Sequence, residues 1–230
     1  MKDTLKKTIA LIPSYNEARA IGDVVRELVN MGVTALVIDD GSQDDTEKIA
    51  RDNGAIVLKN KQNMGKGRSV REGLNYAIAR PEHEWAVLMD GDGQHHPGDI
   101  PGLIEAAVRE NADMVLGNRM AQTNNMPIVR LLTNKFTSFV VSSLAGHKIH
   151  DSQCGFRLIR VSAFKYVELI ADKYDIESEM IIEAARKKMK IVSAPVRTIY
   201  GDEVSKIHPF KDTIRFIKLV QRYRRAKKGR

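Results

Sequence analysis

The residues with the clearest capacity for chemistry are those in Trp85-Ala-Val-Leu-Met-Asp90-Gly-Asp92-Gly-Gln94-His95-His96-Pro97. Apolar residues run straight into two carboxylates separated by one glycine, the pattern of a buried strand that ends in a charged, sharply bent loop. Two anionic groups held that close repel each other unless a cation or strong donors sit between them. Hard oxygen ligands beside an amide suit Mg2+ or Mn2+. The same residues also suit a polar Gly-Asp-Gly turn, because Asp and Gly are what turns prefer. His95 and His96 either reach toward such a metal or, with Pro97 next, begin a helix.

Three other loops are similarly two-sided. Pro13-Ser-Tyr15-Asn16-Glu17 offers an aromatic ring that could stack on a base, or an Asn16 helix cap with Glu17 favouring the helix dipole. Asp39-Asp40 places two acids at a strand end, where one could cap a helix and the other accept from a ribose hydroxyl or a base N–H. Asn63-Met-Gly65-Lys66-Gly67-Arg68 has glycines and cations that could approach a phosphate through backbone N–H groups. It is not a P-loop, since no glycine stands four residues before Gly65 and Gly67 occupies the Ser/Thr position. No G-x-G-x-x-G follows the first strand either, which argues against ATPase and dinucleotide-binding readings.

These loops need elements to hold them. Short apolar runs at Thr8–Ile12, Ala35–Ile38, Ala55–Leu58, Trp85–Met89 and Asp113–Leu116 alternate with stretches of helical period. Ile21, Val24, Val25, Leu28 and Val29 mark one helix, Val70, Leu74, Ala77 and Ile78 another, and Ile100, Leu103, Ile104, Ala107 and Val108 a third. Ser42 and Asp45 are placed to cap a helix that closes near Gly54. The alternation predicts an α/β fold with a mostly parallel sheet and right-handed crossovers, with ligands at the carboxyl ends of the strands. The loops beginning at Pro13, Asp39, Asn60, Asp90 and Gly117 should then share one edge. Beyond 120 the spacing predicts a long helix from about Pro127 to Leu144, a polar-to-apolar run over Asp151–Ile159, a helix near 176–188 and a strand over Ile191–Ile199. There is no linker rich in Gly, Ser or Pro, and a single domain is expected.

Composition narrows the function classes. The single Cys154 excludes an intrachain disulfide, and with no apolar run near the ~18 residues of a membrane span and no secretory signal the expected compartment is the cytoplasm. The formal net charge of +8 sits entirely at the C-terminus, where residues 211–230 hold nine Lys/Arg and one Asp. The rest of the chain is neutral, which argues against nucleic acid as a partner. Lys211, Arg215, Lys218, Arg222 and Arg225 recur at helical spacing, with Phe210, Ile214, Phe216, Ile217, Leu219, Val220 and Tyr223 on the other faces. Residues 209–230 thus read as a basic amphipathic helix, which either lies at the cytoplasmic face of an anionic membrane or docks on the core.

Taken in order, Ile12-Pro-Ser-Tyr-Asn-Glu17, Ile38-Asp-Asp-Gly-Ser-Gln-Asp44, Asn63-Met-Gly-Lys-Gly67, Asp90-Gly-Asp-Gly-Gln94, Gly117-Asn-Arg119 and Asp151-Ser-Gln-Cys-Gly-Phe-Arg157 resemble the family 2 glycosyltransferases. Within them the likeness is to the dolichol- and polyprenol-phosphate mannosyl- and glucosyltransferases, and it covers roughly residues 8 to 210.

The resemblance implies an A-type glycosyltransferase fold, Rossmann-like, with a catalytic domain over 1–208. Its nucleotide-sugar half would be 1–119 and its acceptor half 120–208. By that likeness Pro13, Tyr15, Glu17, Ile38 and Asp40 would hold the nucleoside of GDP-mannose or UDP-glucose, and Lys66 would join the donor site. Asp90, Gly91, Asp92 and Gln94 would form the Mg2+ or Mn2+ loop, with Asp92 and Gln94 as direct ligands and Asp90 between donor and metal. Arg119 would meet the sugar or diphosphate. Arg197 and Lys206, flanking Tyr200-Gly-Asp-Glu, would grip diphosphate and acceptor phosphate. The family's loop often has Ala where this chain has Gly91, an exchange expected to be harmless.

If the acceptor is a polyprenyl phosphate, its oxygen is already anionic near neutral pH and no strong base is required. A saccharide hydroxyl would instead need one of Asp151, Glu177 or Glu179 as base. A non-catalytic sugar-nucleotide-binding partner is the third possibility, although clustered acids such as Asp90 and Asp92 argue against it.

Overall fold

The computed structural model describes residues 1–120, 128–197 and 209–228. A short helix α1 (Lys2–Lys6) precedes strand β1 (Thr8–Ser14), which is followed by α2 (Ile21–Asn30), β2 (Thr34–Asp39), α3 (Thr46–Asp52), β3 (Ile56–Lys59), α4 (Lys66–Ile78) and β4 (Trp85–Leu88). A 3-10 turn at Pro97–Asp99 leads into α5 (Ile100–Glu110), then β5 (Met114–Asn118), α6 (Ile128–Ala145), β6 (Arg157–Arg160), α7 (Val161–Phe164), α8 (Ile176–Arg186), β7 (Ile191–Pro195) and α9 (Pro209–Lys228). Each expected strand and helix of the first half is present, within a few residues at its ends.

The seven strands form one sheet in the order β3-β2-β1-β4-β6-β5-β7. β1, β2, β3 and β4 pair in parallel, as do β5 and β7, whereas β6 runs antiparallel to both of its neighbours. The run from Asp151 to Ile159 therefore hides a central strand of reversed direction. Its register sets Arg157 opposite Leu88 and Leu116, so the start of β6 lies where β4 and β5 finish.

Both sheet faces are covered, which is why the strands read as continuous apolar runs. Along β1, Ala10 and Ile12 point into one core with Val25, Leu28 and Leu103, while Ile9 and Leu11 point into the other with Val70, Leu74 and Ile181. This period-two division repeats in β2, where Ala35 and Val37 face the first core and Leu36 and Ile38 the second.

Helix α3 departs from the expected cap. Asp44, not Ser42 or Asp45, accepts the Thr46 N–H through Oδ1 at 3.1 Å, and its Oδ2 accepts the Ala18 N–H. The Ser42 hydroxyl is instead the acceptor for the Asn16 N–H at 2.9 Å, which ties the β1 loop to the β2 loop. Asn16 adopts a left-handed φ of 53° five residues before α2 begins, and its side chain receives the Gln43 N–H, so it does not cap α2.

The C-terminal helix packs on the body of the protein. Leu219 and Tyr223 are buried in the second core, and Arg222 reaches the buried Glu179 at 2.5 Å. Tyr223 packs beneath the guanidinium groups of Arg186 and Arg222. Removing the Leu219 side chain should therefore cost about 2–4 kcal/mol and lower Tm by roughly 5–10 °C, whereas Ile217→Ala at an exposed position of the same helix should change Tm little. Thermal melts of the two variants check this, and equal small shifts would mean that α9 is not docked.

Candidate active site

The site is built at the carboxyl edge of β1, β2 and β4, where their loops meet the start of β6 and the first turns of α4 and α8. At its centre Lys66, the first residue of α4, places its Nζ 2.6 Å from Asp90 Oδ1 and 2.7 Å from Glu177 Oε1. Burial alone would lower the Lys66 pKa, yet the two carboxylates hold it well above the ordinary range. Burial likewise tends to raise the Asp90 carboxyl, and the Lys66 ammonium overrides this and keeps it ionised well below its usual value. A Cβ at Gly155 would sit 3.1–3.2 Å from Glu177, Asp90 and Lys66 together, so a side chain there would crowd all three members of the triad.

Beside it stands a second pair. Arg119, just after β5, makes a two-pronged contact with the fully buried Asp151, Nε at 2.8 Å and Nη2 at 3.0 Å, and its backbone N–H also points at Asp151. Both oxygens of Asp151 are thereby engaged, so the carboxylate fixes the guanidinium and is not open to deprotonate a hydroxyl. The loop that carries Asp151 is clasped by Arg157, whose buried guanidinium donates to the carbonyls of Cys154, Ser152 and Glu177. Sequence reasoning gave Arg157 no role. The signal available was an arginine inside an apolar strand, which only makes sense if backbone carbonyls surround it.

The glycine-rich loop is not a phosphate cradle. The N–H groups of Met64 and Gly65 go to Asp40, and those of Gly67 and Arg68 go to the Asp172 carbonyl. Gly65 and Gly67 are glycines because a Cβ at either would strike the backbone of Ala171 or Asp172. Asp40 thus organises this loop, accepting also from Asn60, and keeps about one of its four acceptor positions for a ligand. Asp39 is equally buried, accepts from the Ser42 N–H, and leaves Oδ2 without a hydrogen bond, 3.8 Å from Lys59. An open hollow next to these acids is lined by Gly41, Ser42, Lys59, Asn60 and Lys61.

In the Asp90–Gln94 loop, Asp92 accepts the Gln94 N–H at 3.0 Å. His95 is buried and stacks on Phe156, and its Nδ1 accepts the Asp90 N–H at 3.0 Å. Burial and the nearby Lys66 and Arg119 push its pKa down to about 4 against the pull of Asp90, so the ring is neutral and serves as a prop under the loop. His96 starts the 3-10 turn by accepting the Gly98 N–H. Cys154 is packed and its thiol is pushed up to about 11, chiefly by burial. Arg197 is exposed and pairs with Asp99 through its backbone N–H and its guanidinium. Lys206 and Tyr200-Gly-Asp-Glu lie outside the described residues.

The loop supplies only oxygen donors, Asp90, Asp92 and the Gln94 amide. Among the described residues no three His, Cys, Asp or Glu side chains converge as a ready-made cage. That suits Mg2+ or Mn2+ in the mode where one or two carboxylates hold the ion and phosphate oxygens and water complete it.

Residues 9–167 match the model of glycosyl transferase family 2. The chain belongs to this family. It is 33% identical over 215 residues to the UDP-N-acetylglucosamine–dolichyl-phosphate N-acetylglucosaminyltransferase of Methanococcus voltae, covering 84% of this chain and 85% of that one. It is 27% identical over 205 residues to the polyprenol monophosphomannose synthase of Mycolicibacterium smegmatis, covering 83% and 77%. The fold is that of glucosyl-3-phosphoglycerate synthase from Mycobacterium tuberculosis, crystallised with Mn2+, uridine diphosphate and phosphoglyceric acid, at a TM-score of 0.67 and 19% identity over 88% of this chain and 74% of that one. The family 2 chain is accordingly a nucleotide-sugar-dependent glycosyltransferase with an A-type fold.

Two outcomes test this geometry. A Cβ at Gly91 would lie 2.4 Å from Ser14 Oγ, so Ala at this position requires the Ser14 hydroxyl to move. Gly91→Ala should cost about 1–3 kcal/mol of stability and lower turnover, and adding Ser14→Ala should restore most of both. An additive double variant would show the clash to be absent. The second concerns His95, whose folded pKa lies below its unfolded value of about 6.5. Its neutral burial favours the fold fully above that pH, and the benefit is lost as pH falls toward 4. Melts across pH 4–7 should show a shallower slope for His95→Gln than for the unaltered chain. Parallel slopes would remove His95 from this role.

Proposed function

We propose that the protein transfers a sugar from a nucleotide donor to a polyprenyl phosphate, with inversion at the anomeric carbon. The observation that carries this reading is the condition of the three carboxylates that could serve as a base. Asp151 is bound on both oxygens by Arg119, Glu177 is paired to Lys66, and Glu179 accepts from the Ile170 and Ala171 N–H groups and from Arg222. A hydroxyl acceptor would need one of them unengaged, whereas a phosphate arrives already ionised. The names of the Methanococcus and Mycolicibacterium relatives support the same acceptor class.

The nucleoside lies, on this reading, against Pro13, Tyr15, Glu17, Ile38 and Asp40, with its base toward the hollow at Gly41 and Lys59. Asp92 and Gln94 hold a divalent cation, which when bound offsets the negative charge gathering on the leaving diphosphate. Asp90 stays ionised under the influence of Lys66 and orients the donor. Arg119, locked by Asp151, keeps its charge fixed beside the sugar and diphosphate, so no reorganisation is needed as charge develops. Arg197 exchanges Asp99 for phosphate when acceptor and donor are present, with Lys206 as its partner. The donor is a hexose or N-acetylhexosamine nucleotide, and the protein works peripherally at the cytoplasmic face of the membrane. Among the described residues no helix is long and apolar enough to cross a bilayer.

Radiolabel transfer from UDP-N-acetylglucosamine, UDP-glucose and GDP-mannose into organic-extractable lipid, with polyprenyl phosphate and Mg2+ or Mn2+, provides the test. One donor should label the lipid, EDTA should abolish the product, and Asp92→Asn should lower turnover by about 10²-fold or more with the melting temperature retained. Label that persists in EDTA would sink the metal role. Label appearing only on an added saccharide would sink the phosphate acceptor.

A further inference from the structure

Helix α6 is apolar on its outer side as well as on its inner one, where Val141 is buried. It buries Asn134 and Ser138 and exposes Leu132, Phe136 and Phe139 at 62%, 65% and 72%. These three recur at i, i+4 and i+7, which aligns them in a single outward stripe about 10 Å long. A helix in contact with water alone places its residues the other way round, and an exposed apolar stripe of this kind marks a surface that another apolar phase covers.

The charge around the stripe says which phase. Residues 128–145 contain Arg130 and Lys135 and no acidic residue. Helix α9 packs against α6 and exposes Ile214 and Ile217 together with Lys211, Lys218, Arg224 and Arg225. A second copy applied to this face through a two-fold axis would set cations against cations. An anionic lipid surface instead takes up the aromatic side chains and pairs with the lysines and arginines, the two-part attachment that gives stable peripheral binding.

We propose that the outward stripe of α6, flanked by the exposed cations of α9, is the surface by which the protein docks on an anionic bilayer. The inner face of α9 is docked, so that helix presents its exposed cations with Ile214 and Ile217, and α6 supplies the aromatic insertion. The same helix is tied to the active site from its inner side. Ser138 Oγ lies 3.2 Å from Ser152 Oγ and accepts the Ser152 N–H at 2.9 Å, one residue from the Asp151 that holds Arg119. Docking through α6 thus fixes the height of Arg119 above the lipid. This deepens the polyprenyl-phosphate reading, but binding is measured without donor, acceptor or turnover, so the two can fail separately.

The experiment is flotation of the full chain with vesicles of phosphatidylcholine, with and without phosphatidylglycerol. The unaltered protein should float only with the anionic vesicles. The double variant Phe136→Gln/Phe139→Gln should lose roughly tenfold or more of its partition with an unchanged melt, and Lys211→Gln/Lys218→Gln should lose a similar factor and show a weaker salt dependence. Phe139→Trp gives a reading that survives a folding defect in the double variant. Trp85 is buried in the sheet and forms a constant background, so brominated lipid should quench the new fluorescence alone. Unchanged flotation of the aromatic variant overturns the proposal, as does absence of quenching. So does sedimentation showing a dimer that the Phe136→Gln/Phe139→Gln change converts to monomer.

Discussion

The arrangement depends on one ammonium group held between two carboxylates. Lys66 comes from the start of α4, Asp90 from the end of β4 and Glu177 from the first turn of α8, so the triad joins three segments far apart in sequence. Buried charges are tolerated only when their partners are well placed, and removing one partner leaves the others uncompensated. Much of the neighbouring structure can be understood as meeting that condition. Gly155 withdraws its side chain from the triad, Arg157 clasps the loop that carries Gly155, and the segment 171–172 closes over Gly65 and Gly67 at the start of α4. The glycines at these positions serve the packing of a charged centre and not the approach of a ligand.

The reversed strand is what brings the second half of the chain to the site. In a wholly parallel sheet the segment before a strand lies at the amino edge, away from the ligand. β6 runs against β4 and β5, so the loop of Asp151 to Phe156 that precedes it arrives at the carboxyl edge instead. That single reversal lets Asp151 meet Arg119 and lets Phe156 stack on His95 beneath the Asp90 loop. The chain beyond residue 120 is thereby interleaved with the part before it, and the two share the triad and the Arg119–Asp151 pair.

How much of this was legible in the sequence follows from the range of the interactions. The strands and helices of the first half were readable because their signals are local: apolar runs such as Ala35–Ile38, periods of 3.6 in α2 and α5, and acids at strand ends. Helical period also located α6 and α9. What the residues alone left open was whatever depends on a partner far along the chain. Nothing near Gly67 announces that it will face Ala171, and nothing near Asp151 announces Arg119, so the first kept a possible phosphate role and the second stayed one of three candidate bases for a hydroxyl acceptor. The cap of α3 failed for a different reason. Ser42, Asp44 and Asp45 all have capping side chains, and the choice fell to Asp44 because it can also hold the Ala18 N–H, while Ser42 serves Asn16.

The same limits bear on the choice of acceptor. Acidic residues near a sugar site are the natural candidates for a base, and composition alone supplies three of them. Their environments separate the possibilities. A carboxylate already holding a guanidinium or an ammonium has its charge committed to positioning, and taking a proton from a hydroxyl would dissolve the contact that shapes the site. Asp151, Glu177 and Glu179 are all committed in this way, to Arg119, Lys66 and Arg222 respectively. A reaction that needs no proton acceptor is the one compatible with keeping all three contacts through turnover. An acceptor that arrives as an ionised phosphate meets that condition.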